Sequence, residues 1–197
     1  MILLTFIARV ADGLPLAASM LDNDERYRNV NMVDFQTQAK QMCRRLSTAQ
    51  QAPPSRCSID APPSFVFHYL IERGCCCLCL TDRALPARTA FSYLEEVARD
   101  FLQQYGDRIH TASRPYTFIE FETHLTKIRR NALDQRQQQQ QRTALDPVRR
   151  ELGDVQRIMV DNIDQILNRQ TALEGLFEVF IYSTFSYKIH CYFHFRS

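Results

Sequence analysis

Short apolar runs separated by polar turns dominate the chain up to about residue 81. Runs of this length, rich in β-branched and aromatic residues or cysteine, predict β-strands, and Asp12-Gly13 and Arg73-Gly74 have the composition of hairpin turns. The predicted strands cover residues 2–10, 14–20, 57–61, 65–71 and 75–81.

Three other stretches repeat apolar residues every three to four positions, which predicts helices with one buried face. The first lies after residue 32 and ends before Pro53-Pro54, the second runs from Pro86 to about residue 105, and the third covers about 118–133. The first helix has its apolar face at Phe35, Ala39, Met42, Cys43 and Leu46. The order strand, strand, helix, three strands, two helices predicts an α+β fold, an antiparallel sheet with helices packed on its faces.

A fourth periodic stretch has the three–four spacing of a coiled coil. Its inward positions are Leu152, Val155, Met159, Asn162, Ile166, Arg169, Leu173 and Leu176. A guanidinium in such a seam is costly unless carbonyl oxygens of partner helices surround it, so Arg169 is predicted to fix the register of a multi-helix bundle. The spacing alone is equally typical of an amphipathic helix docked on its own domain.

The glutamine-rich segment 135–150 has no apolar face and predicts a flexible or frayed helical linker. Beyond Leu176 the apolar seam is lost, and residues 177–197 form a divergent aromatic tail. The longest charge-free stretch of that tail covers 179–187, well short of the roughly 20 residues that span a bilayer, so no transmembrane helix is predicted.

Composition narrows the function classes. A net charge of +2 over 197 residues excludes a strongly basic nucleic-acid-binding surface. No phosphate loop, nucleophile motif or cluster of histidines is present, so neither an enzyme nor a cofactor is predicted. The start of the chain lacks the basic region of a secretory signal, which favours a cytosol-facing protein.

Seven cysteines fit a reducing compartment. Cys75, Cys77 and Cys79 alternate along one predicted strand, where neighbours on the same face are about 6–7 Å apart, too far for shared zinc ligation without rearrangement. They are predicted to be small buried core residues rather than metal ligands, and His68 is likewise predicted to be a core or sheet-face residue.

Three segments resemble the longin-domain R-SNAREs of endoplasmic reticulum to Golgi transport, the Sec twenty-two type. They are LTFIARVADGLPLAASM at 4–20, SRPYTFIEF at 113–121 and DVQRIMVDNID at 154–164. The resemblance implies a longin domain over 1–134, a profilin-like five-stranded antiparallel sheet with three helices, and the N-terminal half of an R-SNARE motif over 151–176. Since the resemblance stops after Leu176, a truncated form that cannot drive membrane fusion is expected.

The resemblance also implies residue roles. Arg169 corresponds to the ionic-layer arginine that meets glutamines of Q-SNARE proteins in a four-helix bundle. The element Asn162-Ile163-Asp164 folds back on the longin domain in this family, and the COPII coat reads that closed form. The expected acceptor is the groove between the first helix and strand 57–61, with groove residues Phe35, Met42, Cys43 and Ile59, whereas Ala39 and Leu46 are expected to be ordinary core.

The expected location is the cytosolic face of endoplasmic reticulum and Golgi membranes, or the cytosol for this form. The alternative function is a soluble longin interaction module, an adaptor or decoy that binds coat or SNARE partners and whose short helix never enters a bundle.

Overall fold

The computed structural model describes residues 1–21, 27, 30–48, 53–143 and 159–162. The chain divides into two units, Met1–Ile163 and Asp164–Ser197, and every described residue belongs to the first. Its elements are β1 (Ile2–Arg9), β2 (Pro15–Met20), α1 (Met32–Thr48), β3 (Arg56–Ala61), β4 (Phe65–Glu72), β5 (Cys75–Asp82), α2 (Ala87–Tyr105), α3 (Glu122–Thr143) and β6 (Met159–Asn162).

The strands form one sheet in the order β2-β1-β5-β4-β3-β6. The first five strands pair antiparallel, which confirms the predicted five-stranded antiparallel sheet with three helices. β6 adds to β3 in parallel orientation. The β1–β2 hairpin requires glycine at position 13 for two reasons. The φ angle of Gly13 is +67°, which favours glycine, and a Cβ there would lie 2.8 Å from the Cα of Arg44 on α1.

The helices cover both faces of the sheet. α2 packs on β4 and β5 and α3 packs on α2 and β2, whereas α1 packs on β1 and β5. Alternation along β5 separates the two layers: Cys75, Cys77 and Cys79 belong to the core under α2 and α3, whereas Cys76 meets the thiol of Cys43 on α1.

The prediction of small buried residues is confirmed for Cys75, Cys77 and Cys79, and the other three cysteines that the structure describes, Cys43, Cys57 and Cys76, are buried free thiols as well. The hydrogen bond with Cys76 and burial raise the pKa of the Cys43 thiol, and burial raises the pKa of Cys79. Buried thiols held neutral in this way behave as small apolar side chains.

The last helix differs from its prediction at both ends. A 3-10 turn over Ile119–Phe121 replaces its first residues, and α3 then continues to Thr143, through the glutamine run. Gln and Arg are good helix formers, so a helix already started by the packed residues Leu125 and Ile128 continues without an apolar face to bury. The predicted linker therefore begins as helix.

The helix predicted over the heptad seam is wrong for Met159–Asn162, which form the strand β6. An amphipathic helix is marginal in water unless its apolar seam is buried against a partner. The outer edge of β3 offers backbone donors and acceptors to the same four residues, and the sheet satisfies them without other chains.

Candidate functional site

The outer edge of β3 is where a distant segment of the chain joins the sheet. Cys57, Ser58, Ile59 and Asp60 lie in register with Met159, Val160, Asp161 and Asn162. On the inner side of β3, the Ile71 amide donates to the Ser55 carbonyl at 2.8 Å. Because backbone groups alternate along an antiparallel pair, the N–H and C=O groups of Ser58 and Asp60 point outward, to β6.

A buried polar chain anchors this edge to the sheet. Ser58 Oγ lies 2.8 Å from His68 Nδ1, and His68 Nε2 lies 3.2 Å from Thr81 Oγ1. The Thr81 hydroxyl donates to the Val66 carbonyl, so it accepts from Nε2–H, and Nδ1 then accepts from Ser58. This assignment makes the imidazole neutral, and burial accordingly lowers the pKa of His68 to about 4.

His68 also packs on the helix layer, with its ring 5.5 Å from the ring of Phe91 on α2. It is 3% exposed, which confirms the prediction of a core residue. Ser58, His68 and Thr81 thus connect β3 to β4 and β5 on the α2 face.

The α1 face of the same edge is apolar. The Phe35 ring lies 5.2 Å from that of Phe65 and 6.1 Å from that of Phe67. Ile59 pairs directly with Phe67, so it shares that face. The predicted groove residues Phe35, Met42, Cys43 and Ile59 are all buried, as is Ala39, whereas Leu46 is half-buried. With β6 in place, the predicted groove is therefore a packed layer.

Two ion pairs flank β3 at its ends. Arg56 contacts Glu95 of α2 at 2.6 Å, and Arg83 contacts Asp60 at 3.1 Å. Both pairs are partly exposed, so each contributes orientation more than stability. Asp60 is the β3 residue opposite Asn162, which places the second pair where β6 ends.

The other predicted site residues are distributed unevenly. Met159 and Asn162 lie in β6, where the structure places their backbone at the β3 edge. Leu152, Val155, Ile163, Asp164, Ile166, Arg169, Leu173 and Leu176 lie outside the described residues. The sequence reasoning missed Ser58 and Asp60, and it predicted His68 as a core residue without the hydrogen bonds that connect it to β3. No sequence signal marked this edge, because the strand order places it there.

Neither a membrane span nor a metal site is found among the residues that the structure describes. None of the helices there is long and apolar enough to cross a bilayer, and no three side chains of His, Cys, Asp or Glu are grouped to hold a metal ion.

A five-stranded antiparallel sheet, with one helix on one face, two helices on the other and a segment from beyond α3 added to its edge, defines an α+β domain that pairs with a distant part of its own chain. The family model for Longin, a regulated-SNARE-like domain, matches residues 17–125. Vesicle-trafficking protein SEC22b of Xenopus tropicalis is 46% identical over 176 residues, which are 89% of this chain and 77% of that protein.

More distant relatives agree. The protein transport protein sec22 of Schizosaccharomyces pombe is 36% identical over 90% of this chain and 79% of its own length. The 25.3 kDa vesicle transport protein SEC22-1 of Arabidopsis thaliana is 36% identical over 91% of this chain and 78% of its own length. The chain therefore belongs to the Sec22 family of longin-domain R-SNAREs, SNARE proteins of vesicle transport between the endoplasmic reticulum and the Golgi.

Proposed function

We propose that this chain pairs with Q-SNARE helices through a layer built on Arg169, and that the longin sheet restrains this pairing by holding Met159–Asn162 as a sixth strand. The COPII coat binds the restrained form. The chain acts at the cytosolic face of endoplasmic reticulum and Golgi membranes.

The observation that supports restraint is the parallel β3–β6 pairing. Met159 and Asn162 are two of the predicted seam positions of the SNARE helix, and they are also residues of β6. A backbone N–H that donates to a neighbouring strand is not available to a carbonyl four residues earlier in a helix. Strand and helix therefore exclude each other over these four residues.

The strength of the restraint suits a reversible switch. Each backbone hydrogen bond contributes about 1 kcal/mol net, so a four-residue pairing is worth only a few kcal/mol in total. A four-helix bundle that buries several apolar layers and surrounds Arg169 with amide oxygens gains more, and so displaces β6 once partner helices are present.

A substitution in β3 tests the restraint without altering the SNARE segment. Asp60→Pro removes an outward N–H, and proline is tolerated on a strand edge. We expect faster hydrogen exchange over Met159–Asn162, faster assembly with Q-SNARE helices and weaker binding to COPII coat proteins. Assembly and coat binding are expected to change in opposite directions. Assembly requires β6 to leave the sheet, whereas coat binding requires β6 to stay in it.

Asp60→Ala is the matched control. It removes the same carboxylate and the Arg83 contact but keeps the backbone N–H, so assembly and coat binding are expected to stay near those of the parent chain. Equal assembly rates for the parent chain and Asp60→Pro, measured while β6 exchange rises, contradict the restraint.

A second pair of variants separates bundle formation from the adaptor alternative. Arg169→Ala removes every donor of the proposed layer, whereas Arg169→Lys keeps the charge but not the planar fork. We expect Q-SNARE pull-down to fall for both, further for Ala, with coat binding preserved. If neither variant weakens the pull-down, the chain functions as a longin adaptor.

A further inference from the structure

Ser58 is the residue at which the outward backbone groups of β3 meet the buried hydrogen-bond chain. Its N–H and C=O point to β6, where Ser58 lies in register with Val160. Its side chain lies on the α2 face of the sheet and is bonded to His68. A change in the hydrogen bonding of the Ser58 side chain can therefore reach the groups that hold β6.

The positions of Ser58 and His68 in the sheet explain their short contact. The two residues lie directly opposite each other in the antiparallel β3–β4 pair. Because the backbone groups of Ser58 point away from β4, this is a non-hydrogen-bonded pair, in which side chains approach most closely. The Ser58 hydroxyl donates to His68 Nδ1 at 2.8 Å, and His68 Nε2 donates to Thr81 at 3.2 Å. The imidazole is thus held by a bond at each ring nitrogen.

A serine hydroxyl that loses such an acceptor competes with the backbone around it. Serine side chains hydrogen-bond to their own or neighbouring backbone groups when these are within reach. Ser58 is 4% exposed, so water does not replace the lost acceptor, and an unpaired buried hydroxyl is costly. The Ser58 carbonyl is within reach of nearby side-chain donors, since the Cys57 thiol donates to it at 3.7 Å. A freed Ser58 hydroxyl would therefore turn to backbone groups that β6 uses.

We propose that His68 is a positioning residue for β6. By accepting the hydrogen bond of the Ser58 hydroxyl, it leaves the outward backbone groups of β3 to Met159–Asn162. The inference rests on the proposed function, since it names the residue that keeps the β3 edge available for the restraint. His68 belongs to β4, one strand further into the sheet than β3, and acts through Ser58. The bond to Thr81 and the packing on Phe91 orient its ring for this role.

Two substitutions break the same hydrogen bond from opposite ends and test the inference. His68→Leu removes the acceptor and leaves the Ser58 hydroxyl, whereas Ser58→Ala removes the hydroxyl itself. We expect hydrogen exchange over Met159–Asn162 in the full chain to become about fivefold faster in His68→Leu, the factor that corresponds to one backbone hydrogen bond. In Ser58→Ala, exchange is expected to stay within about twofold of the parent chain, because no hydroxyl is left to compete.

The double variant with both substitutions is expected to return β6 exchange to within about twofold of the parent chain. It removes both partners of the bond together, so neither an unpaired hydroxyl nor an unpaired ring nitrogen remains. A residue that only stabilised the sheet would not be compensated by a second loss in the same place.

Tyr93→Phe is the matched control. It removes a buried side-chain hydrogen bond of the same kind, between Tyr93 and Thr5 of β1 at 2.7 Å. Urea unfolding measures the stability lost in each variant. We expect unchanged β6 exchange in Tyr93→Phe, even where its loss of stability equals that of His68→Leu.

Several results would overturn the positioning role. One is β6 exchange in His68→Leu that stays at the level of the parent chain, and another is a double variant that exchanges as fast as His68→Leu. Faster β6 exchange in Ser58→Ala or in Tyr93→Phe would show a general loss of sheet stability instead.

Asp60→Pro keeps this test separate from that of the proposed function. If Asp60→Pro accelerates both β6 exchange and Q-SNARE assembly while His68→Leu accelerates neither, the positioning role fails and the restraint stands. If β6 exchange follows the expected pattern in every variant but assembly never accelerates, the restraint fails, and His68 still positions the β3 edge.

Discussion

The two edges of the sheet are closed in different ways. At β2, the edge is closed by the loop before α3 and by α3 itself. The loop pairs with Pro15 and Leu16, and the buried Arg129 of α3 donates to the Ser19 hydroxyl. At β3, the strand that completes the sheet comes from beyond the end of α3 and contributes four residues.

If the proposed function holds, the closure at β2 is permanent and the closure at β3 is exchangeable. The β2 edge is fixed by a helix layer whose aromatic rings pack tightly, so opening it disrupts the core. At the β3 edge, the closing segment pairs through the backbone of four residues, and each such hydrogen bond contributes about 1 kcal/mol. On the proposed function, a competing partner for the same segment replaces them.

The largest expected effect comes from loosening the helix layer on the β2 side. Phe101 is fully buried, and its ring lies 5.1 Å from that of Phe121 and 5.7 Å from that of Phe118. Phe101→Ala should lower the free energy of unfolding by about 3–5 kcal/mol, because it leaves a cavity where three rings meet. Urea unfolding measures this loss. The control Val33→Ala changes an exposed side chain and should alter the free energy of unfolding by less than about 0.5 kcal/mol. Similar losses for the two variants contradict the closed packing.

The β3 side is expected to be acid-sensitive through His68. Its pKa is lowered to about 4 in the folded chain against about 6.5 unfolded, so the unfolded state binds the proton first as pH falls. Stability is therefore complete above pH 6.5 and decreases by about 3 kcal/mol as pH falls from 6.5 to 4. Urea unfolding across this range tests the sign. His68→Gln, which cannot titrate, should flatten this part of the profile, and an equally steep profile in that variant assigns the loss to other groups.

The glycines of the two hairpins are expected to differ in how much stability their replacement costs. Gly13 lies between β1 and β2, next to the β2 edge, and Gly74 lies between β4 and β5, inside the sheet. Gly13→Ala combines positive φ with a clash against Arg44 and should cost about 2–3 kcal/mol. Gly74→Ala meets positive φ in open space and should cost about 1 kcal/mol. Gly106→Ala, with neither constraint, should be neutral or stabilising by about 0.5 kcal/mol. Thermal unfolding of the three variants gives the order, and a Gly74 loss larger than that of Gly13 excludes the close approach to α1.

The smallest effect is expected at the ion pair beside β6. Arg83 and Asp60 are 59% and 42% exposed in their side chains, so Arg83→Ala should change the free energy of unfolding by less than about 1 kcal/mol. A double-mutant cycle with Asp60→Ala isolates the pair. Coupling well above that value would show that the rim charges, and not only the backbone, hold the β3 edge.

Sequence patterns predicted most of the longin domain because each strand and helix there is selected by its own periodicity. The strand 65–71 and the helix from Pro86 deviate from the observed β4 and α2 by one residue at an end. The functional edge was harder to predict. Ser58, His68 and Thr81 are far apart in sequence, and only the register of β3, β4 and β5 brings their side chains together.

The sequence by itself determined the α+β class, the antiparallel pairing of the strands and the burial of the strand cysteines, since alternation and helical spacing fix which side of each element is apolar. It also marked Met159 and Asn162 as residues of a heptad seam. Only the tertiary structure decided that these residues form a strand, because their local pattern favours a helix that needs partner helices to bury its seam, whereas the β3 edge of the same chain supplies backbone groups that pair with them. The environment of a segment with two possible partners, not its periodicity, selects its conformation.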